Sequence, residues 1–379
     1  MHELARTRIY DLLRSGPART GKELEALTGA SRVTTTQRLT ALVEAGLVLD
    51  SGRAVSSGGR PARSYTLNPG FRNLIGADIG ETMGRICLFD LGLRFLDERL
   101  FRLDLRADPH ETLDRLVAET RLLAASPRAT APVAGFGISL PAPVYQNAGK
   151  VAEPSVMYGW ERIALRDLLR GQLEMPVGID NDVNLMCLAE HRQRWPHLGT
   201  LLFIKAGTGI GCGIINEGRL LRGAFGASGD IGHIQHTDAP HKLCRCGKEG
   251  CIEAHAGGWA LARDLRELGL ETFDARDVMA CYFRGDPECR KAVHQASRTI
   301  GTVAADLVSI LNPEALVIGG RLATAGEAML SGIRERVYQR CLPLATRQLQ
   351  IAAASSDDRL GATGAAMLAM ECALAEPGG

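Results

Sequence analysis

The sequence predicts an α/β body of two lobes preceded by a small, mainly helical domain of about seventy residues. Three observations carry this. A chain of 379 residues is too long for one ordinary core, so a small domain joined to a two-lobed one is expected. From Leu74 onward short apolar strands alternate with helical patterns, as layered α/β structure requires. Residues 1–70 carry ten Arg or Lys against six Asp or Glu, a local +4 in a chain whose net charge is +1. The front end is therefore the part suited to a polyanion.

Composition narrows the class. Hydrophobic residues make up 45% and charged ones 23%, as in a soluble globular protein. No run of about 18 apolar residues could span a bilayer, and Met1 leads directly into charged residues, so a cytoplasmic protein is expected. Of ten cysteines, three crowd between residues 244 and 251 and seven are scattered. That distribution points to reduced thiols and one metal site.

At the front, Ile9, Leu12 and Leu13 set the stripe of a first helix that should end near Ser15-Gly16-Pro17. A second helix fits Gly21 to Thr28, with Leu24 and Leu27 inward, and Gly29 makes a turn. Ser31 offers an N-cap to a third helix running to Ala45, with Val33, Leu39, Leu42 and Val43 as its buried side. Its other face draws on Arg32, Thr34, Thr35, Thr36, Gln37 and Arg38, groups suited to base edges and phosphates in a major groove. Leu47 to Leu49 and Ser64 to Leu67 read as two strands joined by a loop bearing Arg60 and Arg63, which can reach a minor groove. The pattern is a winged helix-turn-helix that binds double-stranded DNA. A protein-docking module with a solvated helix face is the competing reading.

In the body, three glycine-bearing turns follow strands: Asp78-Ile79-Gly80-Glu81-Thr82, Lys205-Ala206-Gly207-Thr208-Gly209, and Val317-Ile318-Gly319-Gly320. Glycine lets backbone amides approach an anion closely, so facing turns of this kind can hold a nucleotide's phosphates. Asp78, Gly80, Thr82, Gly207, Thr208, Gly209, Gly319 and Gly320 are the candidates. Asp182 lies where a short apolar strand gives way to a helix, beside Asn181 and Asn184, placed to accept a hydroxyl proton. The run Cys244-Arg245-Cys246-Gly247-Lys248-Glu249-Gly250-Cys251 can wrap three thiolates round one zinc ion, with His233 completing a closed, structural set. His236 and His241 are alternative fourth ligands.

The order of these motifs resembles the ROK family of repressors, unclassified proteins and sugar kinases, from the front domain to Gly361-Ala362-Thr363-Gly364-Ala365-Ala366. Gly229-Asp230-Ile231-Gly232-His233 followed by the cysteine run and Glu253 is the most specific piece. The resemblance implies an actin-like, ribonuclease H-like bilobed sugar-kinase fold, with ATP between the lobes in the kinase members and a hexose-type ligand in the cleft. It implies that Asp182 stands where kinases have their catalytic base, and that Asn181, Asp230, His233 and Glu253 are sugar contacts. Gly137 to Pro143 is similar to the loop lining the sugar site, with Ala142 in place of a glycine.

Two further departures bear on activity. Glu81 replaces a small residue in the first phosphate loop, and its charge would repel ATP by about 4 kcal/mol per charge pair at about 4 Å and an effective dielectric of about 20. Asp230 replaces a glutamate and shortens the grip on the sugar by one methylene. The expectation is a sugar-responsive transcriptional regulator, a homodimer or higher homo-oligomer that binds an operator and a sugar effector. The rivals are an active hexose kinase using Mg-ATP, with Asp182 as base, and a docking scaffold that binds neither DNA nor sugar. Domain bounds are expected at 1–70 for the DNA-binding domain, 71–184 plus 361–375 for lobe one, and 185–360 for lobe two with the zinc site.

Overall fold

The computed structural model describes residues 9–10, 12–14, 16–53, 62–153, 157–235 and 241–375. At the front, helices Gly21–Thr28 and Arg32–Glu44 are joined by a turn. Thr20 caps the first in a reciprocal capping box with Glu23, and Gly29 ends it in the left-handed region at φ 69°. Ser31 caps the second through the Thr34 amide. Beside them β1 (Arg19–Thr20), β2 (Val48–Arg53) and β3 (Arg63–Leu67) form an antiparallel sheet in the order β1-β3-β2.

The burial of the second helix departs from expectation at three positions. Leu39 and Leu42 are buried as expected, but Val33 is 66% exposed, Val43 is also exposed and Thr35 is fully buried. The helical period explains it: Thr35 lies four residues before Leu39 on the same stripe, whereas Val33 falls on the opposite face. Leu27, expected inward, is exposed as well.

The body contains two five-stranded sheets. The first comprises β4 (Asn73–Ile79), β5 (Met83–Asp90), β6 (Phe95–Arg102), β7 (Val133–Leu140) and, after the short pair β8 (Val144–Tyr145) and β9 (Lys150–Val151), β10 (Val177–Asn181). Its order is β10-β7-β4-β5-β6. The second comprises β11 (Leu201–Ala206), β12 (Ile210–Asn216), β13 (Arg219–Leu220), β14 (Ala315–Gly319) and β15 (Gln350–Ala353), in the order β13-β12-β11-β14-β15. The two orders are the same when each sheet is numbered from its own first strand. In both, the first strand pairs antiparallel with the second and parallel with the fourth.

This duplication makes the first two glycine turns structural counterparts, each closing the first hairpin of its sheet. Helix Asp182–Arg194 follows the last strand of sheet one yet packs on β11 and β12, and helix Leu360–Ala375 follows the last strand of sheet two yet packs on β4, β7 and β10. The two helices also pack on each other. Small residues allow this: a Cβ at Gly137 would lie 1.8 Å from the Ala365 carbonyl oxygen, and one at Gly364 would lie 2.0 Å from that of Leu185. Long helix Pro287–Leu311 ends at Asn312, whose left-handed φ of 44° closes the helix where the Asn-Pro pair predicts a stop. No helix among the described residues is long and apolar enough to cross a membrane.

Candidate functional site

The counterpart turns face one cleft of about 870 Å³ between the sheets. Asp78, at the end of β4, is held by the Ser139 hydroxyl, which donates to its Oδ1 at 2.6 Å. Burial pushes the Asp78 carboxyl up, and the Ser139 hydrogen bond and Lys205 oppose that rise. Asp182 opens helix Asp182–Arg194, with its Oδ1 accepting the Val183 amide at 2.7 Å and its Oδ2 accepting Lys205 Nζ. Burial works against the Lys205 ammonium, but the carboxylates of Asp182, Asp78 and Glu81 together outweigh it and hold the lysine above its ordinary value. Behind them Asp180 accepts Arg222 Nε at 2.6 Å and Asn184 Nδ2 at 3.0 Å. Thus two cations, Lys205 of β11 and Arg222 just beyond β13, meet two carboxylates, Asp180 in β10 and Asp182 just past it.

At the other side of the cleft, the donor atoms of His233, Cys244, Cys246 and Cys251 all lie within 4.8 Å of one another. A tetrahedral ion with metal–sulfur bonds of about 2.3 Å sets sulfur–sulfur edges of about 3.8 Å. Cys246 Sγ and Cys251 Sγ are 3.7 Å apart, and Cys244 Sγ lies 3.7 Å from His233 Nδ1. Burial, reinforced by the adjoining thiols, pushes Cys251 up to about 12, so a bound cation is what would favour its thiolate. The residues fit a metal ion. Of the alternative histidines, His241 is outside the cluster and His236 lies outside the described residues. His233 Nε2 faces Asp230 Oδ1 at 3.8 Å, which ties the cluster to the cleft wall.

Arg245, between the first two cysteines, reaches Glu81 of the first turn at 3.2 Å and Glu253 at 3.4 Å, with its guanidinium 5.0 Å over the Trp259 ring. The repulsive charge expected at Glu81 is therefore paired across the cleft. Glu253 also accepts Trp259 Nε1 at 2.9 Å and the Ile210 amide at 3.0 Å.

The sugar candidates Asn181, Asp182, Asp230, His233 and Glu253 all line the cleft. Asn181 does so with its side chain engaged, its Oδ1 capping the helix and its Nδ2 donating to the Ala142 carbonyl at 3.2 Å. Among the nucleotide candidates, Asp78, Gly80, Thr208 and Gly209 line the cleft, whereas Thr82, Gly207, Gly319 and Gly320 do not. The Gly80 and Gly207 amides already donate within their own turns. On helix Arg32–Glu44, Arg32, Thr36 and Gln37 are exposed together with Val33. Thr34 is half-buried against Ser31, and Arg38 is half-buried. Fully buried Thr35 is removed from the DNA-facing set, because its place on the Leu39 stripe turns it into the core. Arg63 is exposed beside Asp50, and Arg60 lies outside the described residues.

The ROK family model matches residues 74–372, most of the chain. The chain belongs to the ROK family. It is similar to the xylose repressor of Caldicellulosiruptor bescii, at 26% identity over 89% of this chain and 88% of that protein. Among solved structures, a ROK family transcriptional regulator described as a homolog of the E. coli MLC protein superposes with a TM-score of 0.82, at 24% identity, over 98% of this chain and 97% of its own. A ROK family glucokinase from Streptomyces griseus, solved with glucose and AMPPNP, gives 0.69 at 27% identity over 79% of this chain and 99% of its own. The likenesses establish the actin-like ROK fold. The kinase covers 79% of this chain and the regulator 98%, while the family model leaves residues 1–73 unmatched.

Reading the ROK motifs from sequence missed Lys205, Arg245, Arg222 and Trp259. Lys205 and Arg245 stand inside motifs singled out for their glycines and cysteines, so a signal was present: a cation beside an anion-binding turn, and one inside a metal loop. Arg222 and Trp259 carry no local signal, since only the fold brings them to Asp180 and Glu253.

Proposed function

We propose that this ROK protein is a sugar-responsive, DNA-binding transcriptional repressor. The observation that carries the reading is the front part a kinase does without: a helix pair whose second member turns Arg32, Val33, Thr36 and Gln37 outward. Guanidinium and amide groups can read base edges, Val33 suits a thymine methyl, and Arg63 suits the backbone or minor groove. Residues 1–70 form the winged helix-turn-helix, residues 71–184 with 361–375 lobe one, and residues 185–360 lobe two. The protein acts in the cytoplasm as a homodimer on a two-fold operator.

The cleft takes a sugar or sugar derivative, held by Asp182, Asp230, His233 and Glu253. Zinc fits the Cys₃His set, and four protein ligands leave no open position, so its role is structural. The ligand changes the closure of the lobes, and the front domain feels it through lobe one, where the Tyr10 hydroxyl donates to the Leu91 carbonyl at 2.5 Å. A tenfold weakening of operator binding needs about 1.4 kcal/mol of coupling, and operator weakens sugar binding by the same factor.

A second reading, an ATP-dependent hexose kinase with Asp182 as base, is favoured by the convergence of Asp78 and Asp182 on one cleft. The pairing of Asp182 with Lys205 weighs against it, because both carboxylate oxygens are already engaged, Oδ1 by the Val183 amide and Oδ2 by Lys205. Fluorescence anisotropy with promoter fragments tests the choice. Selective binding that a sugar weakens at least about tenfold is expected; equal affinity for promoter and random DNA in every ligand state overturns it.

A further inference from the structure

Among the described residues a second group of metal-ligating side chains stands apart from the Cys₃His cluster: Cys281, Asp286 and Cys289, whose ligand atoms all lie within 4.8 Å of one another. A corner between two helices brings them together. Helix Ala275–Arg284 ends at Gly285, left-handed at φ 92°, and Asp286 then caps helix Pro287–Leu311. The Asp286 amide donates to the Cys281 carbonyl at 3.3 Å, which folds the last turn of the first helix onto the first turn of the second.

Two buried thiols thus meet one carboxylate. Cys281 is 5% exposed and Cys289 fully buried, whereas Asp286 is half-buried and reaches the surface. As the helix cap, Asp286 Oδ1 accepts the Cys289 amide at 2.9 Å. Capping occupies one carboxylate oxygen and leaves the second for another partner. A cap accounts for the aspartate and an apolar core accounts for either thiol alone, but neither requires the three donors to converge.

We propose that Cys281, Asp286 and Cys289 form a second metal site, for a thiophilic divalent cation such as zinc. Two thiolates and a carboxylate are donors such an ion takes. Tetrahedral zinc sets sulfur–sulfur edges of about 3.8 Å, so closing on the ion moves each donor by about 1 Å or less. Binding releases the two thiol protons to solvent. Three protein ligands leave the fourth position to water, unlike the closed Cys₃His set. The ionised ligands exceed the charge of a dication by one, and the Arg290 guanidinium, 3.5 Å from where a Cβ on Gly285 would stand, places a cation beside them. The ion staples a corner that backbone hydrogen bonds otherwise hold.

Zinc content of the full-length protein, read by native mass spectrometry over a range of buffered free zinc, tests this against two variants. Asp286→Asn keeps a side-chain oxygen for the Cys289 amide, and so keeps the helix cap, while removing the charged ligand. Cys289→Ala removes a sulfur. Cys289→Ala should hold about one ion fewer per chain than wild type, and Asp286→Asn should need at least about tenfold more free zinc to fill the same place. Because both readouts are differences from wild type, they do not depend on the occupancy of the Cys₃His set. Equal zinc content and equal affinity in wild type and in Asp286→Asn and Cys289→Ala overturn the site. A wild-type chain two hydrogens lighter, with no zinc beyond that of Cys289→Ala, assigns the two thiols to a disulfide and overturns it as well.

Discussion

Helix Arg32–Glu44 and the interlobe cleft carry their polar groups in opposite ways. In the cleft, charges face one another: Lys205 meets Asp182, and Arg245 spans Glu81 and Glu253, with Arg222 on Asp180 just behind. On the helix, Arg32, Thr36 and Gln37 face solvent. Groups that pair with one another fix a shape, and groups that face outward are available to a partner. The first arrangement should be insensitive to salt and costly to break; the second should matter little for stability and much for binding.

The largest effect should come from the metal cluster, which braces one wall of the cleft. Arg245 is placed by the cysteines on either side of it, so loss of the metal frees the residue that joins Glu81 to Glu253. Chelation, or Cys251→Ser, should lower unfolding free energy on the order of 5 kcal/mol and abolish sugar binding. Thermal melts and calorimetry check this. An unchanged melting temperature in the metal-free protein would mean that the cluster does not brace the cleft.

Next comes a matched pair of arginines. Arg222→Ala leaves Asp180, 1% exposed, short of its cation, and should destabilise the protein by about 3 kcal/mol in urea unfolding. Arg32→Ala, on the exposed helix face, should change stability by less than about 0.5 kcal/mol. It should nonetheless weaken operator binding about tenfold and lower the slope of binding against salt by about one phosphate contact. If Arg32→Ala unfolds the domain, or Arg222→Ala is silent, the contrast between the two regions fails.

What the sequence revealed follows the same division. Motifs whose chemistry is local were legible: the Ser31 cap, the Cys244 to Cys251 run with His233, and Asp182 at the start of its helix. Phase errors were small but telling. Val33 and Thr35 exchanged faces because apolar character was read ahead of the three-and-four spacing from Leu39. The repeated strand order of the two sheets was not legible, since β6 and β13, and β10 and β15, share topology without sharing a pattern of residues. Nor were the cross-cleft pairs, whose partners lie more than forty residues apart for Arg222 with Asp180 and far more for Arg245 with Glu81.

The smallest effect concerns the helix that links the sheets. His191 is 1% exposed, with Nε2 at 2.9 Å from the Leu198 carbonyl. Burial pulls its pKa below 6.5, although the hydrogen bond to Leu198 resists. The fold therefore favours the neutral ring, and this contribution is fully present above pH 6.5 and lost as the pH falls through that value toward the lower folded one. Urea midpoints at about pH 7.5 and about pH 5.5, compared between wild type and His191→Gln, isolate it, because groups such as Asp78, whose carboxyl burial pushes up, are common to both proteins. The wild type should lose stability between the two, and His191→Gln, which keeps a donor toward Leu198, should be flatter. Sugar affinity should decline in step, because the same helix carries Asp182 at its start, whereas helix Arg32–Glu44 contains no histidine to respond. Equal pH dependence in wild type and variant would assign the loss to other groups and detach the cleft from this helix.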